Sequence, residues 1–265
     1  MRLAASVVTY HTSPEELKKC LGTLSDSCAE AIYVVDHSGN NDLESTVLLY
    51  PKTHYISQSN RGYGAGHNVA LRQSIARDFD LHLVINSDVE IAPADIDRMA
   101  QYMADNTSVG AIHPKILNRD GTPQHTVRML PSPIDVIARR FLPKFLFKKR
   151  RERYELRHID PSRQANIPYM QGSFMMMSCA VLKEVGLFDE RFFLYPEDID
   201  MSRRLHRVAP TLYYPEVTAI HHHRSASYHS FKMLCIHIAN MIRYFNKWGW
   251  FFDAERKRFN APFMK

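Results

Sequence analysis

Short apolar runs alternate with helix-patterned stretches through residues 1–90, and no other feature of the sequence restricts the fold as much. Residues 3–10, 31–36, 54–58 and 82–91 each carry a brief apolar run closed by polar or turn-forming residues. Runs of that length with such boundaries mark buried strands rather than helices. After the first run, Ser13 is an N-cap candidate, with Pro14 at the first helical position and Glu15 and Glu16 in the first turn. The helix it opens sets Leu17, Cys20, Leu21 and Leu24 on one face and ends near residue 25. A second helix follows the glycine-rich turn beginning at Asn60 and runs to about residue 77. Strand, helix, strand, strand, helix, strand in that order predicts an α/β fold on a mainly parallel sheet.

The fourth run breaks off in Asn86-Ser87-Asp88-Val89-Glu90. Open α/β sheets place their ligands beyond the carboxyl ends of strands, which is where these acids fall. Asp88 and Glu90 are hard oxygen ligands of the kind magnesium or manganese takes while it holds a nucleotide diphosphate. The plainer reading is a solvated loop whose aspartate caps the helix after Pro93. The glycine-rich stretch 60–71 has the same two sides. Its helix start can bind phosphate through backbone amides, or it is a turn whose glycines allow close backbone packing.

Further along, residues 93–106 are patterned as a helix and 109–117 as a strand, and after Asn118-Arg119-Asp120-Gly121 the character changes. Residues 134–154 mix a basic block (Arg139, Arg140, Lys144, Lys148, Lys149, Arg150, Arg151, Arg153) with bulky apolar residues, and Pro143 interrupts any helix there. That mixture suits a membrane interface, or a solvated helix packed on the domain. The run Phe174-Met175-Met176-Met177, entered through Gly172, reads as a core strand in which thioethers fill gaps. Pro196-Glu197-Asp198 sits at the start of a helix that continues to about residue 208, with Met201, Leu205 and Val208 on one side. A carboxylate there is favoured by the helix dipole, so Asp198 is at the least a cap. Arg203 and Arg204, one turn on, read as ion-pair partners of nearby acids. His221, His222 and His223 follow two strand-like segments, 211–214 and 217–220. Adjacent residues on a strand point to opposite faces, so at most one or two of the three join a site. Helical patterning returns from 231 to 244, and Lys247-Trp248-Gly249-Trp250-Phe251-Phe252 repeats the pairing of aromatics with cations.

The chain's 265 residues suffice for a sizeable core, and 45% hydrophobic with 23% charged residues is ordinary for a soluble globular protein. A net charge of +6 and a pI near 9.1 favour an anionic partner: a nucleotide sugar, an acidic membrane surface or a nucleic acid. No nucleic-acid module is recognisable, so that partner is not expected. Cys20, Cys28, Cys179 and Cys235 lack metal-ligand spacing and read as reduced, packed residues of a cytoplasmic protein. Residues 1–10 are too short in apolar content for a signal peptide, and no run of about 18 apolar residues exists to span a bilayer.

The order of motifs adds a resemblance. Val7-Val8-Thr9-Tyr10, Val34-Val35-Asp36, Asn60-Arg61-Gly62-Tyr63-Gly64-Ala65-Gly66-His67-Asn68, Ile85-Asn86-Ser87-Asp88, Gly186-Leu187-Phe188-Asp189-Glu190, Phe193-Leu194-Tyr195-Pro196-Glu197-Asp198-Ile199-Asp200 and Ile220-His221-His222 occur in sequence. Together, from residue 3 to about 249, they resemble the inverting family 2 glycosyltransferases, especially the rhamnosyltransferase-like branch. The resemblance implies a GT-A fold: a Rossmann-like, mixed and mostly parallel sheet flanked by helices. It implies a single domain over 1–225, with a nucleotide-sugar half at 1–117 and an acceptor and catalytic half at 118–225. A helical, basic and aromatic extension fills 226–265.

In that family, residues matching Thr9, Tyr10 and Asp36 hold the base and ribose, and those matching Asn60, Gly62, Gly66 and Asn68 shape the wall beside the nucleotide. Asp88 matches the metal-binding aspartate of a shortened Asp-x-Asp motif, with Asn86 where its first aspartate often stands. His221 matches a histidine that completes the metal site in some relatives, His222 being its nearest rival, and Mg2+ or Mn2+ is the implied cofactor. Asp198 matches the catalytic base, while Gly172, Glu197 and Asp200 are acceptor or supporting positions. Inversion needs an acceptor hydroxyl to attack opposite the departing diphosphate, and a carboxylate within reach takes its proton. A cation at Asp88 offsets charge on the leaving group. The expected activity moves a sugar, rhamnose among the candidates, from a nucleotide-diphosphate sugar to a lipid-linked saccharide in bacterial cell-surface polysaccharide synthesis. The expected location is cytoplasmic, peripheral at the inner face of the membrane. The competing readings are a nucleotidyltransferase, which would need a basic phosphate grip that residues 9–14 lack, and an inactive membrane scaffold. Oligomeric state is left open.

Overall fold

The computed structural model describes residues 1–141, 145, 147–222 and 231–264, with the side chains of 138–141 excepted. The readings on Arg139, Arg140, Pro143, Lys144 and His223 therefore lie outside the described residues.

The first half builds as its pattern predicts. Strand β1 (Leu3–Thr9) leads into α1 (Pro14–Asp26), where the Ser13 hydroxyl accepts from the Glu16 amide and Leu17, Cys20, Leu21 and Leu24 form the buried face. Then come β2 (Ala29–Asp36), one short turn of helix α2 (Glu44–Val47), β3 (Thr53–Ser57), α3 (Tyr63–Ala76) and β4 (Leu81–Ile85). The four strands pair in parallel, in the order β3-β2-β1-β4. Sequence patterning does not reveal β5 (Val89–Glu90), two residues beyond the Asn86-Ser87-Asp88 turn, which precedes α4 (Pro93–Asp105) and β6 (Ala111–Leu117).

The second half inserts into the same sheet. A ribbon of β7 (Val127–Arg128) and the later β9 (Tyr169–Met170) flanks α5 (Pro133–Phe141), α6 (Lys148–Tyr154) and β8 (Ala165–Asn166). Next, β10 (Phe174–Ser178) enters between β4 and β6, antiparallel to both, followed by α7 (Cys179–Val185) and α8 (Glu197–Val208). The two strand-like segments after α8 are one strand, β11 (Thr211–His221), whose pairing with β6 skips three residues at Pro215. Pro215 has no amide to give the ladder, and the skip absorbs it. The path through the sheet is β3-β2-β1-β4-β10-β6-β11-β5, with β8 pairing β11 off it.

Both faces of the sheet are covered, so central strands are apolar on both sides. Along β10, Phe174 and Met176 join the core beneath α1 and α4, while Met175 and Met177 join the core beneath α3, α7 and α8. The methionine run is packing, as its composition predicts. Val208 departs from expectation: it is 40% exposed at the end of α8, while Met201 and Leu205 are buried.

Helices α9 (Phe231–Trp248) and α10 (Ala254–Asn260) close the chain, α9 running a turn beyond the patterned 231–244. They lock onto α8 through Arg203, which is 2% exposed and bonds Asp253 and Glu255 at 2.6–2.7 Å beneath the Trp248 ring. Trp250, Phe251 and Phe252 stay exposed. Part of the basic block is spent internally, Arg150 on Asp135 and Arg151 on Glu155.

Candidate active site

The turn after β4 and the end of β11 meet because β5 and β11 pair antiparallel, with His221 opposite Val89. His221 Nε2 thereby comes to 3.3 Å from Asp88 Oδ1, while His222 turns the other way, its Nε2 lying 3.0 Å from Glu90. Gln124 fixes the His221 ring. Its amide nitrogen donates to the His221 carbonyl at 2.8 Å, so its oxygen faces Nδ1 at 3.1 Å and accepts that proton. Nε2 then presents its lone pair toward Asp88. An imidazole nitrogen and a carboxylate oxygen at this separation span one edge of a coordination sphere with bonds of about 2.1 Å. No cluster of three or more His, Cys, Asp or Glu forms a metal cage among the described residues. Asp88 and His221 therefore fit a magnesium or manganese ion that takes its remaining ligands from phosphate and water.

Asp198 reaches the same neighbourhood by a different route. Because β10 runs antiparallel to β4, its entry at Gly172-Ser173 lies beside the exit of β4, and the Asn86 amide donates to the Ser173 carbonyl at 3.0 Å. The first turn of α8 packs there. Asp198 Oδ2 accepts from the Gly172 amide at 3.0 Å and the Tyr169 hydroxyl at 3.2 Å, and Oδ1 accepts from the Ile199 amide at 2.8 Å. A Cβ on Gly172 would come within 3.2 Å of Asp198 Cβ, so a side chain there would crowd the carboxylate.

Burial raises the Asp198 carboxyl above its ordinary range, an effect the two amides, Arg128 and Tyr169 partly oppose. Glu197 beside it is pushed up further, by burial and by the charge of Asp198, and its Oε2 has no hydrogen-bond partner. Two adjacent buried carboxylates do not both ionise readily. The proton stays on Glu197, and Asp198, with its donors, carries the charge.

Tyr63, quoted in the glycine-rich motif but given no role there, joins the two regions. Its hydroxyl lies 2.8 Å from Asn86 Oδ1 and 2.7 Å from the Gly172 carbonyl. Burial first, then the charges of Glu197, Asp198 and Asp88, hold that hydroxyl well above the ordinary tyrosine range. Three carboxylates from two elements, α8 and the turn after β4, thus bear on one phenol.

The other sequence candidates divide. Thr9 is buried and donates to Asp36, whose oxygens also accept from the Ser38 amide and the Tyr55 hydroxyl. Burial raises the Asp36 carboxyl, but these hydrogen bonds outweigh it and keep the group charged. Tyr10 is exposed at the strand end. Asn60 caps its own turn through the Gly62 amide, and Gly62, at φ 105°, lies against the Phe193 backbone, leaving no room for a side chain. Gly66 packs equally closely on Val8 and His37. Asn68 is buried and clamps the Phe188 backbone through both ends of its amide. Asp200 is fully buried, its oxygens taken by Arg204, Lys247 and Trp248, so it ties α8 to the C-terminal helices. Arg203 and Arg204 are the ion-pair partners expected of them.

Beside Asp198 a cavity of about 330 Å³ opens between the β7–β9 ribbon, α5, α6 and α9, with Arg128, Tyr169 and Gln124 on its wall. Sequence reasoning missed this chamber, since its lining is drawn from segments far apart in the chain.

A sheet of this order, with an acidic turn at one strand end and a carboxylate-bearing helix facing it, is the GT-A architecture of glycosyltransferases. It superposes on a mannosyltransferase from Pyrobaculum calidifontis solved with GDP-Man and Mn2+, with a TM-score of 0.65 and 15% identity over 98% of this chain and 68% of that one. The family model described as glycosyltransferase like family 2 matches residues 2–237, and the chain belongs to that family. It is 31% identical over 205 residues to the low-salt glycan biosynthesis hexosyltransferase Agl10 of Haloferax volcanii, covering 76% of this chain but only 61% of that relative's length. It is 27% identical over 237 residues to an N-acetylglucosaminyl-diphospho-decaprenol L-rhamnosyltransferase of Mycobacterium tuberculosis, covering 83% of this chain and 76% of the relative. No helix among the described residues is long and apolar enough to cross a membrane.

Proposed function

We propose that this protein transfers a hexosyl or rhamnosyl group with inversion, from a nucleotide-diphosphate sugar to a lipid-linked saccharide. The pathway is cell-surface polysaccharide synthesis, at the cytoplasmic face of the membrane. The observation that carries this reading is the convergence of Asp88 and Asp198, on separate elements, about the Tyr63 hydroxyl. Asp198, bordering the cavity, takes the proton of the attacking acceptor hydroxyl. Asp88 and His221 are the residues that would hold the divalent cation. When bound, the cation offsets the charge that develops on the leaving diphosphate. Thr9, Tyr10 and Asp36, at the ends of β1 and β2, meet the nucleoside, with Asn60, Gly62, Gly66 and Asn68 keeping the adjacent wall in shape. The relative whose name carries a diphospho-decaprenol acceptor supports the lipid-linked assignment. Exposed Ile134, Ile137, Phe145 and Phe231 on and around α5 and α9 support contact with a bilayer surface.

The test is a pair of variants read by calorimetry and by turnover. Asp198→Asn should bind nucleoside diphosphate with Mn2+ as the wild type does, while transfer falls by more than about a hundredfold. Asp88→Ala should lose the manganese-dependent part of nucleotide binding. Asp198→Asn turning over at more than about a tenth of the wild-type rate, a loss under about 1.4 kcal/mol, would remove that residue as the base.

A further inference from the structure

The cavity beside Asp198 has a cationic wall that the chemistry described so far does not use. Arg128 is 9% exposed and lines the cavity. Its Nε donates to the His125 carbonyl at 2.7 Å and its Nη1 faces the Tyr169 hydroxyl at 3.4 Å. No carboxylate forms a salt bridge with it among the described residues. Its hydrogen-bond partners are neutral, the charges of Glu155 and Asp198 reach it only from further off, and an anion in the cavity would offset the remaining cost of burying the guanidinium. Next to it, Arg151 and Arg157 share the single carboxylate of Glu155, at 2.9 and 2.8 Å. Three guanidinium groups face the carboxylates of Glu155 and, across Tyr169, Asp198, so this wall keeps a net positive charge. Asp135, also on the lining, is neutralised by Arg150 at 2.6 Å.

We propose that Arg128, Arg151 and Arg157 bind the diphosphate of an acceptor in which a sugar is joined through diphosphate to a hydrocarbon chain. This deepens the acceptor assignment above and rests on it. The sign of the charge matches, because a diphosphate diester is anionic and the wall is net cationic. The spacing matches too, since Arg128 and Asp198 meet through one tyrosine hydroxyl, Tyr169. A phosphate on Arg128 and a hydroxyl on Asp198 are therefore one sugar ring apart. Arginine suits the task, because its planar fork engages phosphate oxygens in pairs. The lining also carries apolar side chains, Val136 from α5 and Met233 and Met241 from α9, on which the hydrocarbon can pack.

The experiment is calorimetry on the full chain in EDTA, without donor, using decyl diphosphate, inorganic pyrophosphate and an uncharged decyl glycoside. Decyl diphosphate should bind the wild type and bind Arg128→Gln and Arg157→Gln about tenfold or more weakly. Arg128→Lys should recover part of the loss, and the uncharged glycoside should not distinguish the variants. Arg157 is partly exposed, so Arg157→Gln keeps the test decisive if Arg128→Gln fails to fold. Equal affinity of the wild type and both glutamine variants for decyl diphosphate would overturn the proposal. Pyrophosphate binding as tightly as decyl diphosphate would also overturn it, reducing the wall to a site for free phosphate. No transfer step enters these measurements. An active Asp198→Asn would thus sink the catalytic reading without touching this one, and unchanged binding here would sink this one alone.

Discussion

The Tyr169 hydroxyl bears directly on the proposed base, Asp198. Asp198 is raised by burial and restrained by its donors, of which the Tyr169 hydroxyl is one that a substitution can delete cleanly. A base must be ionised, so transfer should increase with pH through the Asp198 titration. Tyr169→Phe removes a donor that favours the ionised form, so the acid limb of kcat/KM should move to higher pH. Turnover well above that limb should change little. A limb that stays in place while activity drops at every pH would make Tyr169 a packing residue only. Asp198 was legible from its motif, since Glu-Asp-x-Asp at a helix start is a local pattern. Tyr63 and Gln124 were not, because each acts on groups 23 to 109 residues away.

At the scale of elements, α8 does two jobs. Its first turn carries Glu197 and Asp198, and its middle holds Arg203 against Asp253 and Glu255 of the C-terminal segment. Removing one partner of a buried ion pair strands the others without compensation, which typically costs about 3–5 kcal/mol. Arg203→Met should therefore lower the melting temperature steeply and open the segment after Trp248 to protease. Unaltered proteolysis and melting would make α9 and α10 a loosely attached tail. The basic and aromatic character of that tail suggested an interfacial extension. Its lysine and first tryptophan instead turn inward onto Asp200, and only Trp250 to Phe252 remain outside. Local sequence says that an aromatic and a cation adjoin, but the side they face is set by what lies against them.

For the whole molecule, two neutral histidines are buried in the sheet, His82 on β4 and His113 on β6, and a third, His206, is half-buried on α8. Burial lowers His82 to about 3 and His113 to about 4, and His206 falls to about 4, chiefly by burial. Between those values and the unfolded value near 6.5, the unfolded chain binds more protons than the folded one. The stability they contribute is complete above about 6.5 and is lost as pH falls toward 4, at up to about 1.4 kcal/mol per unit for each histidine. Glu197 and Asp198, being raised, work in the opposite sense, since their share fades as pH rises through their titration. Comparing unfolding free energy at pH 7.5 and 5 in the wild type and in His113→Gln isolates one histidine. The variant should show the shallower loss, and parallel pH profiles would refute the assignment.

By itself, the sequence determined the α/β class with its mainly parallel sheet, the capped first helix and the strand ends that carry Asp36 and Asp88. Each of these follows from periodicity and capping within a few residues, which the chain carries wherever it folds. Tertiary structure alone decided that β10 enters antiparallel between β4 and β6, bringing Gly172 and Asp198 to the end of β4. It likewise decided that β5 pairs with β11 to turn His221 rather than His222 toward Asp88. The cavity wall drawn from Arg128, Arg151 and Arg157 belongs to the same category. Strand direction and inter-element pairing are settled by which burial of the whole sheet is most complete, and no short window of sequence holds that sum.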